Sequence, residues 1–323
     1  MTGCGTTTFT DPDDYRTNVP GVSIELVLTG CDRFRARVTW AAMRHLKLVC
    51  VEETVPRIAF VSLAPALIFF SFPLTSDPRL AWNGVELGRG EIVLHGGGRP
   101  FHLRAAGGAR WGMASLAPGG LAAYSRALLG AELASPTAMQ ILRPQSADMA
   151  DFLRLHRQAC RLAQAKPEMA AHPEVARALE QGLAHTLVNC VSAGEPRSHA
   201  GMERHSEIMI RFGQVLGSHG DRPLQMPELC AAVGVAERTL RMCCARFLGM
   251  SPLGYARLRR LNLVRSALRR AGPKAANVRT IARQYGFSEL GRFAAAYRAA
   301  FGETPSATLR DASLVAMDAA EIA

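Results

Sequence analysis

No uninterrupted apolar run in the chain approaches the roughly 18 to 20 residues that a membrane span requires, so a membrane protein is not expected. The first twenty residues contain Asp11, Asp13 and Asp14 and lack a basic start followed by an apolar stretch, which argues against a secretory leader. Eight cysteines, at positions 4, 31, 50, 160, 190, 230, 243 and 244, make no CxxC pair and no Cys/His group at metal-ligand spacing. No metal and no cofactor are therefore expected, and the chain is read as reduced and cytoplasmic. A P-loop, a nucleophile elbow and an acid pair in a defined context are all missing, which removes the usual enzyme signatures. Lysine is scarce: Lys47, Lys166 and Lys274 are the only three, and arginine carries the rest of the positive charge.

What remains is long and unevenly charged. A chain of 323 residues exceeds one typical core of about 100 to 200 residues and favours two domains. Residues 1–207 carry 21 Lys+Arg against 19 Asp+Glu, whereas residues 208–310 carry 17 against 5 and residues 311–323 carry none against 3. The excess thus sits in one segment of domain size, as a phosphate-binding module requires.

From Gly21 to about Ala117, short β-like runs recur: Val22–Leu28, Phe34–Trp40, Leu46–Val51, Ile58–Leu63, Leu67–Phe72, Glu91–Leu94 and Phe101–Arg104. Turn signals such as Ser76-Asp77-Pro78 and Gly96-Gly97-Gly98 separate them, predicting an antiparallel barrel or sandwich. After Pro118 the spacing turns helical near 119–130, 147–164 and 173–191. The division read from this is a β domain with a helical extension over 1–191, a linker over 192–206, a helical domain over 207–310 and an acidic tail over 311–323.

The basic segment is punctuated for helices. Pro227 suits a first helical position and Gly234 a stop. A second helix runs from about Ala236 to Gly249, and Ser251-Pro252 opens a long arginine-rich helix ending at Gly272-Pro273. Asn277 caps a helix that closes at Gly286, and Ser288 caps one that stops at Gly302. These pieces repeat: Leu229 matches Ile281 and Gly234 matches Gly286 at an offset of 52, and Leu240 matches Phe293 at an offset of 53.

Each repeat is a short helix, a glycine turn and a second amphipathic helix, which is a helix-turn-helix. In the first, Leu240, Cys243, Cys244 and Phe247 make an apolar stripe. Arg238, Arg241 and Met242 lie opposite, with Glu237 and Thr239 at the same N-terminal end. A DNA-reading helix needs this division of faces. Arg238 and Arg241 are candidates for guanine edges, because a guanidinium pairs bidentately with O6 and N7, and Glu237 for a cytosine amine. In the second repeat the candidates are Ser288, Glu289, Gly291, Arg292, Ala295 and Arg298. Gly291 and Ala294 stand where the first repeat has Arg238 and Arg241, so the second repeat is expected to position and the first to read.

The run from about 208 to 310 resembles the AraC/XylS family of transcriptional regulators. The resemblance rests on Arg238-Thr239-Leu240, Phe247-Leu248-Gly249-Met250-Ser251-Pro252, Tyr255, Arg260-Leu261, Ile281-Ala282, Tyr285-Gly286-Phe287-Ser288, Arg292-Phe293 and Phe301-Gly302-Glu303-Thr304-Pro305. It implies two helix-turn-helix units, joined by a linker helix, in successive major grooves of double-stranded promoter DNA. Departures from the family pattern are Ala236 for Ser, Met242 for Arg and Cys244 for Phe. The first removes an N-cap worth about 1 kcal/mol. The N-terminal part more loosely resembles the family's cupin-like sensor domains, through Trp82-Asn83-Gly84-Val85-Glu86-Leu87 and the glycine turn before Phe101-His102. The implied class is an α+β multidomain chain: a cupin-like antiparallel β domain with following helices, then an all-α domain of two helix-turn-helix units. By the same resemblance it is expected to be an activator and a homodimer, with an N-terminal domain that senses a small-molecule effector or mediates dimerisation, and a partner of RNA polymerase; an enzyme is not expected. An oxidative cupin enzyme would have to use His95 and His102, which lack H-x-H spacing and a matching carboxylate. A purely charge-driven DNA protein would lack the separate sensor-like part.

Overall fold

The computed structural model describes residues 3–17, 22–76, 80–96, 98–197, 201–219, 222–271 and 277–311. In chain order the N-terminal elements are β1 (Cys4–Phe9), α1 (Pro12–Thr17), β2 (Val22–Leu28), β3 (Ala36–Ala42), β4 (Leu46–Glu53), β5 (Arg57–Leu63) and β6 (Ile68–Pro73). There follow β7 (Leu80–Trp82), β8 (Val85–Glu86), β9 (Ile92–His95), β10 (Phe101–Ala105), β11 (Ala109–Leu116), α2 (Pro118–Leu129) and β12 (Gln140–Arg143). A helical layer of α3 (Ser146–Ala165), α4 (Pro167–Ala171) and α5 (Pro173–Ser192) precedes β13 (Glu195–Pro196). The remainder is helical: α6 (Met202–Ser218), α7 (Met226–Val233), α8 (Glu237–Leu248), α9 (Pro252–Arg270), α10 (Val278–Gln284) and α11 (Leu290–Phe301).

Two antiparallel sheets face each other, one in the order β1-β3-β4-β11-β6-β9-β12-β13 and the other β2-β5-β10-β7-β8. Because side chains alternate along a strand, β4 sends Val49 and Val51 into the core between the sheets and Leu46 and Leu48 into a second core under α3 and α5. Burial on both faces explains the unbroken apolar stretch Leu48–Val51 within it. The α+β class and the β-then-helix layout expected from the sequence are the observed ones.

The seven expected strands correspond to β2, β3, β4, β5, β6, β9 and β10 with shifts of up to two residues at their ends. Sequence reasoning missed β1, β7, β8, β12, β13 and above all β11, a central strand of the larger sheet. Gly112 interrupts the β-like pattern there for a tertiary reason. A Cβ at Gly112 would collide with the Phe72 ring and lie 3.1 Å from His156 Nε2. In the helical part α7 begins at Met226, one residue before Pro227. Ser288 does not cap α11: the cap position belongs to Glu289, and the helix starts at Leu290. Helix α6 starts inside the stretch read as linker, and β13 pairs there with β12. The expected stop at Gly272-Pro273 and most of the acidic tail, 312–323, lie outside the described residues, as do Asp77, Pro78 and Gly97 of the turn signals.

The first helical unit packs on the outer face of the smaller sheet. Val27 of β2 and Ile58 of β5 join the core formed by Phe212, Leu229, Leu240, Cys244 and Phe247. The His102 ring lies edge-on to Phe247 at 6.0 Å.

Candidate nucleic-acid interface

Helix α7 ends at Gly234, which takes the left-handed conformation (φ 74°) and donates its N–H to the Cys230 carbonyl at 2.9 Å. That conformation is cheap only for glycine, and here it produces the sharp turn into α8. Ala236 occupies the cap of α8 with no side-chain hydrogen bond, as its lack of a hydroxyl requires. Four side chains, Leu240, Cys243, Cys244 and Phe247, are buried at 0–1% exposure and anchor the helix. Burial raises the Cys244 thiol well above its ordinary pKa, in keeping with a neutral core group.

The opposite face of α8 is open. Glu237, Arg238, Arg241 and Met242 are exposed and Thr239 is half-buried. Arg241 reaches back one turn to Glu237, with Nε 2.7 Å from Oε1. Both partners are about half exposed, so this pair is worth roughly 0.3–0.5 kcal/mol and opens readily.

The second unit is built on the same plan with a different surface. Phe293, Tyr297 and Phe301 are buried, their rings 4.8–5.7 Å apart in sequence along α11, and the Tyr297 hydroxyl is 2.8 Å from the Thr308 hydroxyl. Ser288, Glu289, Gly291, Arg292, Ala295 and Arg298 are all exposed. Arg292 is tied to Glu289 at 3.1 Å. Its long basic side chains, Arg292 and Arg298, equal in number Arg238 and Arg241 of α8 but stand at other positions along the helix.

Helix α9 joins the two units. Ser251 accepts a hydrogen bond from the Gly254 N–H at 3.2 Å and starts it. Its first turns, through Tyr255 and Ala256, belong to the first unit's core, and Leu261, Val264 and Leu268 belong to the second's. Nineteen residues make a rod about 28 Å long.

The structure also shows contacts that sequence reasoning missed. Asn262 of α9 accepts from the Leu28 N–H (2.9 Å) and donates to the Leu28 carbonyl (3.2 Å), Arg259 pairs with Glu25, Ser266 bonds Asp13, and Arg269 pairs with Asp11 at 2.8 Å. These partners are more than 230 residues apart, and nothing local in the sequence points to them.

His95 and His102 are placed as core side chains. Each is buried, and each is packed on an aromatic ring: His95 on Phe101 at 4.3 Å and His102 on Phe60 at 4.8 Å. Burial lowers both pKa values to about 3. Among the described residues no three His, Cys, Asp or Glu side chains come together as a metal site. Among the described residues no helix is long and apolar enough to cross a membrane.

Comparison with known proteins agrees with this geometry. A helix-turn-helix domain family matches residues 229–311. The XylDLEGF operon transcriptional activator 2 of Pseudomonas putida is 30% identical over 124 residues, covering 38% of this chain and 79% of that protein. A Rhodococcus erythropolis protein described as a probable thc operon regulatory protein is 36% identical over 95 residues, 29% of either chain. The match thus spans under a third of the length of that relative. The crystal structure of the AraC-like transcriptional activator CuxR aligns over 80% of this chain and 94% of its own, at 18% identity and a TM-score of 0.38. With two glycine-turned helix pairs on one connecting helix, and a relative matched over most of its length at 30% identity, the chain belongs to the AraC/XylS family of transcriptional regulators.

Proposed function

We propose that the chain is a sequence-specific DNA-binding transcription regulator that acts as an activator on promoter DNA. The observation that carries this is the exposed face of α8. Its helix is clamped by four buried side chains while Glu237, Arg238, Thr239, Arg241 and Met242 stand free of the core at its N-terminal end, the end that enters a major groove. Arg238 and Arg241 read base edges in this scheme, and Ser288, Glu289, Gly291, Arg292, Ala295 and Arg298 of the second unit hold the neighbouring groove. A connecting rod of about 28 Å, a little short of one turn of B-DNA, suits two units on one face of the duplex.

The β domain with its helices, residues 1–191, is the sensing or dimerisation part, 192–206 the connection, 207–310 the DNA-binding part and 311–323 a tail. The place for a small-molecule effector in this reading is between the sheets, where Val61, Trp82, Leu103 and Met113 line a narrow apolar space that must widen to admit one. The activator role draws on the relatives from Pseudomonas putida, which are described as transcriptional activators. It implies RNA polymerase as a partner, a homodimer on DNA and a cytoplasmic location. Catalysis has no part in the proposal.

The test is selection of binding sites from a random DNA pool with purified protein, repeated with Arg238→Ala and Arg241→Ala. The expected motif spans two adjacent major grooves, and each substitution relaxes one base pair at roughly 1–3 kcal/mol. A pool without enrichment at moderate salt, with and without small-molecule candidates, would replace this reading with charge-driven binding.

A further inference from the structure

The basic excess of the helical half is not confined to the exposed faces of α8 and α11. A cleft of about 250 Å³ opens between the end of α6, the approach to α7 and the first half of α9. His219, Arg222, Arg257, Arg259 and Arg260 line it, and among the described residues no carboxylate does. Like charges gathered round one hollow repel each other. Part of that charge is answered inside the protein. Arg259 pairs with Glu25 and donates to the Leu216 carbonyl at 3.1 Å, while Arg260 donates to the Tyr285 carbonyl at 3.2 Å and lies over the Phe287 ring at 5.0 Å. Arg222 and Arg257 are instead exposed to solvent. Arg222 bonds Glu228 at 3.1 Å, but 57% and 41% of the two side chains are in water, and a pair so exposed exchanges easily for another anion. On the same wall Leu253 is a large apolar side chain left 38% exposed.

We propose that this cleft holds a backbone phosphate of the DNA, gripped by Arg222 and Arg257, with Leu253 against the adjoining deoxyribose. The proposal rests on the reading of α8 as the helix that enters the major groove. What favours DNA as the source of the phosphate is the place of the cleft in the first unit. Gln225, the residue before α7, also lines it, and α7 is the first helix of the helix-turn-helix, the one that crosses the sugar–phosphate backbone while the second helix enters the groove. A guanidinium matches the task, because its planar fork offers two N–H groups to two phosphate oxygens in charge-assisted bonds. In the free chain the Glu228 carboxylate occupies Arg222, and the phosphate displaces it. Arg259 and Arg260 keep their protein partners and act on the phosphate through their charge. The contact lies outside the two exposed helix faces and gives the first unit a hold on DNA that is blind to base sequence.

The experiment is a fluorescence titration of the full chain with two labelled duplexes, one carrying the selected site and one of unrelated sequence, over a series of salt concentrations. Losing one phosphate contact lowers the slope of log K against log salt by about 0.9, which is roughly 8-fold in affinity at about 0.1 M salt. Arg222→Ala and Arg257→Ala are each expected to show that drop on both duplexes, leaving the preference between them unchanged, and Arg257→Lys to restore the slope. Arg238→Ala is expected to weaken binding to the selected site more than to the unrelated duplex. Arg161→Ala, on the exposed side of α3, removes one charge far from the cleft and is expected to leave the slope as it was. An unchanged slope in Arg222→Ala or Arg257→Ala, while the wild type still prefers the selected site, overturns the cleft and leaves the reading of α8 standing. An equal drop in Arg161→Ala overturns it as well, since charge without contact would then suffice. Wild-type protein that binds neither duplex would instead remove the reading of α8, and the cleft with it.

Discussion

Asn262 offers the sharpest test of how the regulator's two halves are joined. Among the described residues, strand β2 is at the edge of the smaller sheet, with β5 on one side and no strand on the other. At its end, Leu28 is 1% exposed, and its backbone N–H and carbonyl point away from β5. The Asn262 amide takes both, at 2.9 and 3.2 Å, and so substitutes for one peptide unit of a missing strand. Asn262→Ala leaves a buried donor and a buried acceptor without partners. Each orphan costs about 1–3 kcal/mol, but water reaches both once α9 lifts off, so the observable loss is capped by the free energy of docking. A docking loss of about 1–3 kcal/mol corresponds to roughly 5- to 150-fold more of the undocked form. Hydrogen exchange measures it directly: the Leu28 amide should exchange faster by that factor. The Thr29 amide, bonded to the Pro56 carbonyl at 3.0 Å within the β domain, should keep its rate. Equal acceleration of both amides would mean that the β domain itself was destabilised. An unchanged Leu28 rate would refute the strand-completion argument.

Three further outcomes follow from the geometry. Arg57 is fully buried and bonded to Glu53 through Nε (3.1 Å) and a terminal nitrogen (2.6 Å), while Glu53 also accepts from Tyr15 and Trp111. Arg57→Leu strands that carboxylate and should cost about 3–5 kcal/mol in urea unfolding, whereas Glu53→Leu with Arg57→Leu should cost less than the single change. On the proposed reading of α8, Glu237→Gln releases Arg241 and removes a negative charge from the exposed N-terminal end of the helix, so binding to any duplex should tighten in a fluorescence titration, with Arg241→Ala reducing the gain. Acid should destabilise the fold through its buried histidines. His95 and His102 have pKa values lowered to about 3 and His156 to about 4, so below pH 6.5 the unfolded chain takes up protons that the folded one does not. Stability is complete above that pH and falls as the pH drops toward 4, by up to about 1.4 kcal/mol per pH unit for each histidine. His102→Phe should flatten the slope of urea midpoint against pH, and an identical slope would contradict it.

Much of the helical half was legible in advance, because its signals are local. Gly234, Gly249, Gly286 and Gly302 are all in the left-handed conformation at φ 72–74°, and Ser251 and Asn277 accept the cap hydrogen bonds that their side chains favour. The apolar stripe of α8 follows from helical periodicity alone, and so does the exposure of Arg238 and Arg241. Where local signals were weak, the reading failed. Strand β11 was hidden by Gly112, whose identity is set by Phe72 and His156 rather than by its own strand. Ser288 has the chemistry of a cap, yet α11 starts two residues later, behind Glu289.

By itself, the sequence determined the class of the chain, the order of its parts and which face of α8 is free, because charge distribution, glycine conformation and helical period act between near neighbours. Only the tertiary structure decided that Asn262 completes an edge strand 234 residues away, that Glu53 and Arg57 neutralise each other between the sheets, and that His156 and Phe72 occupy the space that Gly112 leaves open. Such contacts come from the packing of whole layers. Partners far apart in the chain leave no periodic trace, and a hydrogen bond between them becomes visible only when both ends are in place.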